Sequence, residues 1–587
     1  MKRKTNILTC RSKSIFAGLA AGCLFAGSSL FAANVNTYWT GGGADNDWAN
    51  PDNWDNGAPS DLSGDGNVSR AFFNSTSGAV NNVDITGANV GNYMNIGFGG
   101  GTTVNLNMAS GSSLSFQTPG SHLVGSNSGA ASILNVTGPV SGSADYSFSG
   151  FQIGTNASDT GSAANFSGAL NITDSGANTV VGRQGNGHTL TVSDGAIYNG
   201  KGMLLSGTQA VTSGVGNDNS LVVTGAGSAM TLSGLSGEFS TLALIVASRP
   251  TTGLSSSVIQ SGNIVTVSDG ASLTVIGDNP DATVSVLVGA NHYRRDNGIL
   301  VTGSGSTMTV SGDVYTQVGY NSSASDDNYL KVENGATFKT DATVDVLDGI
   351  TATTGRNYLL IDNGGTFTSS SVLTNTNGLL QLAEGGVLAG KTLAGDSTAL
   401  TVNVAGSGRF EAAGTGLGNT VTVNFEGQVV ERLVDNEIVY DTYTAVFAVG
   451  LDGATGPATV TVDSTINLNE NSILEIEVYG NGGIDSIILG SNAEFNIGSN
   501  VMLSILMGDA GPILEGDYNI FTGNIASISG DFTDMLLPEL DGGKSWDTSR
   551  FNAADGWVLS VVPEPSTYAV ILGAAVVLLA LVRRKRK

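Results

Sequence analysis

The residues best suited to acid–base or metal chemistry are few and widely separated. The chain has three histidines and two cysteines among 587 residues. His122, His188 and His292 fall in different segments and lack the spacing of zinc ligands. Cys10 and Cys23 both lie within the first 33 residues, which the features described below assign to a cleaved export signal. We therefore expect a mature chain with no disulfide, no metal site and no cofactor.

Two aspartates are the strongest candidates for a catalytic acid pair. Thr191–Ala196 and Thr266–Ala271 share the sequence TVSDGA, which places Asp194 and Asp269 at the same phase of a repeat. Two coils apart, their carboxyls would be separated by about 10 Å, a distance that suits an inverting glycosidase. An Asp-Gly pair is, however, typical of a tight turn in which glycine takes a positive φ. We therefore expect turn residues and no enzymatic activity.

Three other polar segments could likewise be either functional sites or ordinary turns. Gly480–Ile487 (GNGGIDSI) approximates the calcium-binding nonapeptide, but that site works as tandem copies and the chain has one. Asp326–Asn328 and Asn217–Asn219 are acidic enough for an ion site. We expect all three segments to be turns or solvated loop tips.

Three of the five tryptophans fall close together, at Trp39, Trp48 and Trp54. Such rings could form a platform on which sugars stack, or a hydrophobic plug over the end of a core. We favour the plug, and keep the three residues as candidates for carbohydrate stacking.

The elements that must position these residues are repeats. Val223–Gly234 (VTGAGSAMTLSG) and Val301–Gly312 (VTGSGSTMTVSG) agree at nine of twelve positions, and aliphatic-Gly pairs recur about every 29 residues between Ile96 and Val346. Short strands of period two and Asx-Gly turns fill each unit. The pattern predicts an all-β fold, a right-handed parallel β-helix with about three strands per coil. A β-propeller would need blades of about 40–50 residues.

The charge distribution excludes some partners. Residues 14–582 contain 14 Lys and Arg residues and all 50 Asp and Glu residues, which gives a net charge of −36. Such a body repels phosphate backbones, so we expect no nucleic-acid binding. So few cations also argue against the basic groove that a lyase for acidic sugars needs.

Both ends of the chain have the composition of targeting segments. A basic start followed by the apolar run Ile15–Leu30 predicts a secretory signal peptide, formed by a helix within residues 1–33. At the other end, Pro563-Glu564-Pro565 precedes the apolar run Ala569–Val582 and a basic tail. That run is 14 residues long, and 20 when counted from Pro563, so we expect a C-terminal transmembrane helix with its tail in the cytoplasm. The tail consists of Arg583, Arg584, Lys585, Arg586 and Lys587.

The C-terminal segment resembles the PEP-CTERM sorting signal of exported proteins from Gram-negative bacteria that make exopolysaccharide. The resemblance implies that a membrane enzyme, an exosortase, recognises Pro563, Glu564 and Pro565 and processes the chain nearby. The tryptophan segment, with Gly57 and Pro59 after it, resembles the opening of secreted autotransporter-like β-helix proteins.

These features predict five segments and a function at the cell surface. The segments are a signal peptide (1–33), an aromatic cap (34–90), solenoid repeats (91–400), a β-rich continuation or cap (401–560) and the sorting signal (561–587). We expect an exported structural or adhesive protein of the cell surface or extracellular matrix, attached to the membrane through its C-terminal helix, with exopolysaccharide or other surface proteins as partners. The alternatives are a polysaccharide lyase or glycosidase, and an ice-binding solenoid. Ice binding needs threonines in register, and their positions differ from unit to unit.

Overall fold

The computed structural model describes most of the chain from Asn34 to Arg584. The described residues are 34–59, 68–73, 79–97, 101–116, 122–125, 130–156, 158–176, 178–206, 216–233, 242–247, 260–277, 284–289, 294–312, 314–319, 325–348, 356–434, 437–451, 454–508 and 511–584. The expected signal peptide, residues 1–33, lies outside them, as do Lys585, Arg586 and Lys587 of the tail.

Alternation of apolar and polar residues produces three long parallel sheets, which we call faces 1, 2 and 3 in the order in which each coil visits them. In β15 (Thr189–Ser193), for example, Leu190 and Val192 point inward and are fully buried, while the Thr and Ser residues beside them point outward. Strands are numbered in chain order.

Face 1 has 16 strands. They are β3 (Ala79–Ile85), β6 (Thr102–Met108), β9 (Ile133–Thr137), β12 (Ala163–Ser167), β15, β18 (Ser220–Thr224), β22 (Ile264–Ser268), β26 (Gly298–Thr302), β30 (Tyr329–Glu333), β33 (Tyr358–Ile361), β36 (Leu379–Leu382), β39 (Arg409–Ala412), β44 (Ala445–Val449), β47 (Ser472–Val478), β50 (Met502–Met507) and β54 (Asp534–Leu536).

Face 2 has 11 strands and is continued by a separate four-stranded sheet. The 11 are β4 (Ala88–Gly91), β7 (Ser113–Phe116), β10 (Ala144–Phe148), β13 (Leu170–Asp174), β16 (Ile197–Gly200), β19 (Ala229–Leu232), β23 (Ser272–Gly277), β27 (Thr307–Gly312), β31 (Thr337–Thr340), β34 (Thr366–Ser369) and β37 (Val387–Gly390). The four are β40 (Thr415–Leu417), β45 (Thr459–Val462), β48 (Ser486–Leu489) and β52 (Phe521–Gly523).

Face 3 has 17 strands. They are β1 (Asn34–Tyr38), β2 (Val68–Phe73), β5 (Tyr93–Ile96), β8 (His122–Val124), β11 (Phe151–Ile153), β14 (Thr179–Val181), β17 (Met203–Leu205), β20 (Leu242–Val246), β24 (Val284–Val288), β28 (Val314–Gly319), β32 (Thr343–Leu347), β35 (Val372–Thr376), β38 (Leu400–Ala405), β41 (Val421–Glu426), β46 (Thr465–Leu468), β49 (Glu494–Ile497) and β53 (Ile528–Ser529).

The described residues also form smaller elements. They are a three-stranded corner sheet, β21 (Gln260–Ser261), β25 (Arg294–Arg295) and β29 (Ser325–Asp326); a hairpin, β42 (Gln428–Val434) and β43 (Glu437–Tyr443); an antiparallel cap sheet, β51 (Gly516–Asn519), β55 (Lys544–Asp547) and β56 (Val558–Pro563); two 3₁₀ turns, Pro51–Asn53 and Ile525–Ser527; and the helix α1 (Pro565–Arg584).

The stacked parallel coils are those of a β-solenoid, and coil length varies along it. Leu330 pairs with Leu359, 29 residues on, whereas Leu221 pairs with Val265, 44 residues on. Parallel pairing begins at β1, inside the segment expected to be a cap, and runs through residues 401–560 as far as β54. The right-handed sense of the coil stays a prediction.

The expected equivalence of two turns is confirmed. Asp194 and Asp269 both take the left-handed conformation, with φ of 53° and 54°, and Gly195 and Gly270 follow with φ of 89° and 81°. Each of these glycines donates its backbone N–H to a serine of the next coil at 3.0 Å. Gly195 and Gly270 therefore occupy the same position in two repeats.

A ladder of buried asparagines runs along the corner where face 3 leads into face 1. Its members are Asn219, Asn263, Asn297, Asn328 and Asn357, all fully buried. Asn263 Nδ2 donates to Asn297 Oδ1 at 2.9 Å, and the backbone N–H of Asn263 donates to the same oxygen at 3.2 Å. The pattern repeats at each step, so each coil's corner is hydrogen-bonded to the next.

The expected C-terminal helix is present as α1, which follows β56 after one residue. Its apolar side chains from Leu572 onward are exposed: Leu579 is 65% exposed and Val576 60%. As for the expected transmembrane helix, no helix among the described residues is long and apolar enough to cross a membrane. The unbroken apolar run Ala569–Val582 corresponds to about 21 Å of helix, against a hydrocarbon core of about 30 Å.

Candidate functional site

From β3 to β54, the longest connections between strands lie at one corner, where face 3 leads into face 1. Fourteen residues connect β17 to β18, whereas three connect β15 to β16 at the next corner. The hairpin β42–β43 is inserted at the long corner as well. Insertions in a solenoid that collect on one side often mark its binding side, which directs attention to the strands of face 1 that begin there.

Two tyrosines and a lysine form an aromatic patch at that position. Tyr329 and Tyr358 pair across adjacent coils, and their rings stack with centroids 5.6 Å apart. Lys331 Nζ lies 4.5 Å from the centroid of Tyr329 and 5.4 Å from that of Tyr358, within cation–π distance. Burial raises the pKa of Tyr329 to about 12. A Cβ at Gly298 would come within 2.1 Å of the Tyr329 ring, so glycine is what lets this ring lie over the preceding strand.

An ionic network continues the patch along face 1. Arg409 Nε donates to Glu411 Oε1 at 2.6 Å, and Arg409 Nη2 donates to Glu475 at 2.5 Å. Gln381 Nε2 donates to Glu411 Oε2 at 2.9 Å, and Glu411 is 1% exposed. One guanidinium therefore binds both carboxylates.

We call these residues together the face 1 cluster: Tyr329, Lys331, Tyr358, Gln381, Arg409, Glu411 and Glu475. Flat rings beside an amide, an ammonium and a paired guanidinium can contact the apolar and hydroxyl sides of a sugar chain at once. The sequence analysis missed the cluster because its members come from five coils of unequal length.

The three tryptophans kept as candidates for sugar stacking, but predicted to form a plug, contact one another. Trp54 packs edge-on against Trp39 and Trp48 at centroid distances of 5.0 and 4.9 Å, and its Nε1 donates to the carbonyl oxygen of Trp48 at 2.9 Å. Trp48 is 1% and Trp54 4% exposed. Their ring faces are covered by protein, an arrangement typical of a plug over the first coil.

The predicted sorting motif lies at the junction of the last strand and the helix. Pro563 ends β56 and pairs with Lys544, the backbone N–H of Glu564 donates to Gly543 at 2.8 Å, and Pro565 begins α1. The side chain of Glu564 is exposed. Arg583 and Arg584 of the tail end α1 and are exposed too.

The histidines do not form a site among the described residues. His122 is fully buried against Phe116 and Phe148, neither ring nitrogen has a hydrogen-bond partner, and burial lowers its pKa to about 3. His188 Nδ1 accepts from the backbone N–H of Ser162 at 3.1 Å. His292 lies outside the described residues.

Two buried acids were not predicted. Asp159 accepts from Ser162 Oγ at 2.8 Å, and burial raises its pKa to about 6. It lies near His188 and Ser162, but His188 binds the serine's backbone rather than its hydroxyl, so the three do not form a catalytic triad. Asp485 is fully buried and accepts the backbone N–H groups of Ala458 and Glu477 at 2.6 and 3.0 Å.

Two expectations about loops need correction. Asn219 and Asn328, expected at solvated loop tips, are fully buried in the asparagine ladder, because each directly precedes a face 1 strand and its amide hydrogen-bonds within the buried corner. Threonines also recur in register on face 2, where Thr307, Thr337 and Thr366 pair coil by coil. Insertions at the corners change the number of residues between these threonines, but they do not change the position of each threonine in its strand.

Comparison with known proteins does not assign the chain to a family. No protein-family model matches the sequence, and no curated protein is detectably similar to it.

Proposed function

We propose that this chain is an exported rod of the bacterial cell surface or extracellular matrix, sorted through Pro563-Glu564-Pro565 by an exosortase-type enzyme. The observation that carries the proposal is the placement of the motif. Its glutamate is exposed and lies between β56, a strand of the cap sheet, and the helix α1, which ends in basic residues. Seventeen strands stacked about 4.8 Å apart give face 3 a length of about 77 Å.

The tail would hold the chain at the membrane until it is processed. Apolar side chains on α1 would enter the bilayer, and Arg583 and Arg584 would remain at the interface. The Gram-negative host and the signal peptide belong to the same proposal.

Replacement of the motif's glutamate tests sorting. In the full-length chain, Glu564→Ala should block maturation, so that the unprocessed form accumulates in the membrane fraction. Glu539→Ala, an exposed glutamate nearby, is the matched control and should mature normally. If Glu564→Ala is processed and located like the wild type, the sorting proposal fails.

The role of the rod is adhesive rather than enzymatic, and the face 1 cluster is its contact with polysaccharide. An aromatic patch beside fixed ionic groups supports this assignment over the tryptophans, two of which, Trp48 and Trp54, are buried. The alternative, a polysaccharide-active enzyme, has the same cluster as its most favourable site.

Removal of one ring tests the contact. Tyr358→Ala should weaken retention on the host's purified exopolysaccharide by about tenfold, since a stacking ring contributes about 1–2 kcal/mol. Tyr315→Ala on face 3 is the control, because that tyrosine contacts Asp345 away from the cluster. Equal retention of both variants would contradict the contact, and release of sugar fragments would favour the enzyme.

A further inference from the structure

Face 2 presents a regular, almost uncharged surface on a strongly acidic chain. Its outward residues form two rows, two residues apart along each strand. The first row is Ala88, Ser113, Asp145, Asn171, Ile197, Ala229, Ser272, Thr307, Thr337, Thr366 and Val387. The second is Val90, Ser115, Ser147, Thr173, Asn199, Thr231, Thr274, Thr309, Lys339, Thr368 and Ala389.

Charge limits how two copies of this protein can approach. The chain carries a net charge of −26, so most pairs of surfaces repel one another. In the two rows of face 2, all of whose residues are described, Asp145 and Lys339 alone are charged. A contact through the two rows of face 2 therefore brings few like charges together.

The positions of these two charges are symmetric. Asp145 lies on β10, the third strand of face 2 from its N-terminal end, and Lys339 lies on β31, the third from its C-terminal end. Consider a twofold axis that lies between two copies, parallel to the strands and level with the middle strand, β19. It would bring the two faces together and reverse the order of the coils in one copy relative to the other. Each Asp145 would then lie opposite the partner's β31, within reach of a lysine side chain.

The size of face 2 is adequate for such a contact. Eleven strands about 4.8 Å apart, each about four residues wide, cover roughly 630 Å² per copy. Two copies would bury roughly 1,260 Å², at the lower end of the range for specific interfaces. We propose that face 2 is the contact surface between two antiparallel copies of this chain, which associate reversibly through hydroxyl rows and two Asp145–Lys339 pairs.

Charge reversal tests the contact in the full-length chain, purified in mild detergent. Sedimentation velocity over a range of protein concentrations should show a monomer–dimer equilibrium for the wild type. Asp145→Lys or Lys339→Asp alone should raise the dissociation constant at least about tenfold, because each places like charges opposite each other. The combined variant Asp145→Lys/Lys339→Asp should restore the dimer, which separates loss of contact from misfolding.

Glu494→Lys, an exposed acidic residue on face 3, is the matched control and should leave the dimer intact. Every variant retains α1, so association through this helix would be equal in all of them and can be distinguished from association through face 2. A wild type that stays monomeric, or single reversals that dimerise like the wild type, would overturn the proposal. Inhibition of ice growth that is lost in Thr309→Lys would assign the threonine rows to ice instead.

Discussion

At the scale of single residues, burial determines what the carboxyl group of Asp485 does. The sequence motif around it resembles part of a calcium site, but the carboxylate accepts backbone N–H groups from Ala458 and Glu477 and is fully buried. Burial raises its pKa from 3.8 to about 7. The side chain therefore joins neighbouring segments and takes up a proton in the folded state.

This shift predicts a pH dependence of stability. The folded state binds the proton of Asp485 more tightly than the unfolded state, so its contribution is complete below about pH 4 and is lost as the pH rises through about 7. Asp485→Asn should remove that loss. Between pH 4 and pH 7 the variant should gain about 1 kcal/mol or more relative to the wild type, visible as a relative rise in thermal midpoint.

Asp463→Asn is a control whose pH dependence should have the opposite sign. Hydrogen bonds from the side chain and backbone of Asn492 lower the pKa of Asp463, so this carboxyl stabilises the fold above its unfolded pKa and ceases to do so in acid. Parallel pH profiles for the wild type and Asp485→Asn would show that Asp485 is ionised throughout this range.

At the scale of elements, the structure contains two kinds of asparagine ladder. The buried ladder through Asn297 satisfies the interior corner, while Asn403, Asn424, Asn467 and Asn496 form a second ladder on the outer side of face 3. Both use the same bond between amide groups, so a comparison isolates the effect of burial.

We expect Asn297→Ala to lower the free energy of unfolding by about 3 kcal/mol. It leaves the backbone N–H of Asn263 without its acceptor in the interior, where a buried unsatisfied group costs about 1–3 kcal/mol, and it removes the hydrogen bonds that Asn297 Nδ2 donates to Gln260, Arg295 and Asn328. Asn467→Ala should cost less than about 1 kcal/mol, since water can replace its partners. Thermal or denaturant unfolding of both variants measures the difference, and equal losses would contradict it.

At the scale of the whole molecule, local signals predicted the architecture but not the contacts between coils. The alternation in β15 and the TVSDGA turns identify stacked strands without any knowledge of neighbours. Beyond residue 400 the period is hidden, because the β42–β43 hairpin separates Phe410 from its partner Phe447 by 37 residues. The face 1 cluster and the rows of face 2 depend on such lengths, so they become visible only once the register is known.

The direct join between β56 and α1 has a mechanical consequence. β56 is the central strand of the cap sheet, hydrogen-bonded to β51 on one side and β55 on the other. A pull on the tail acts along this strand and at right angles to both sets of hydrogen bonds, so they must be sheared together instead of opening one at a time. If the chain is held by its tail in flowing liquid, drag on the body is carried through this central strand, and the coils bear tension only after its hydrogen bonds to both neighbours have broken.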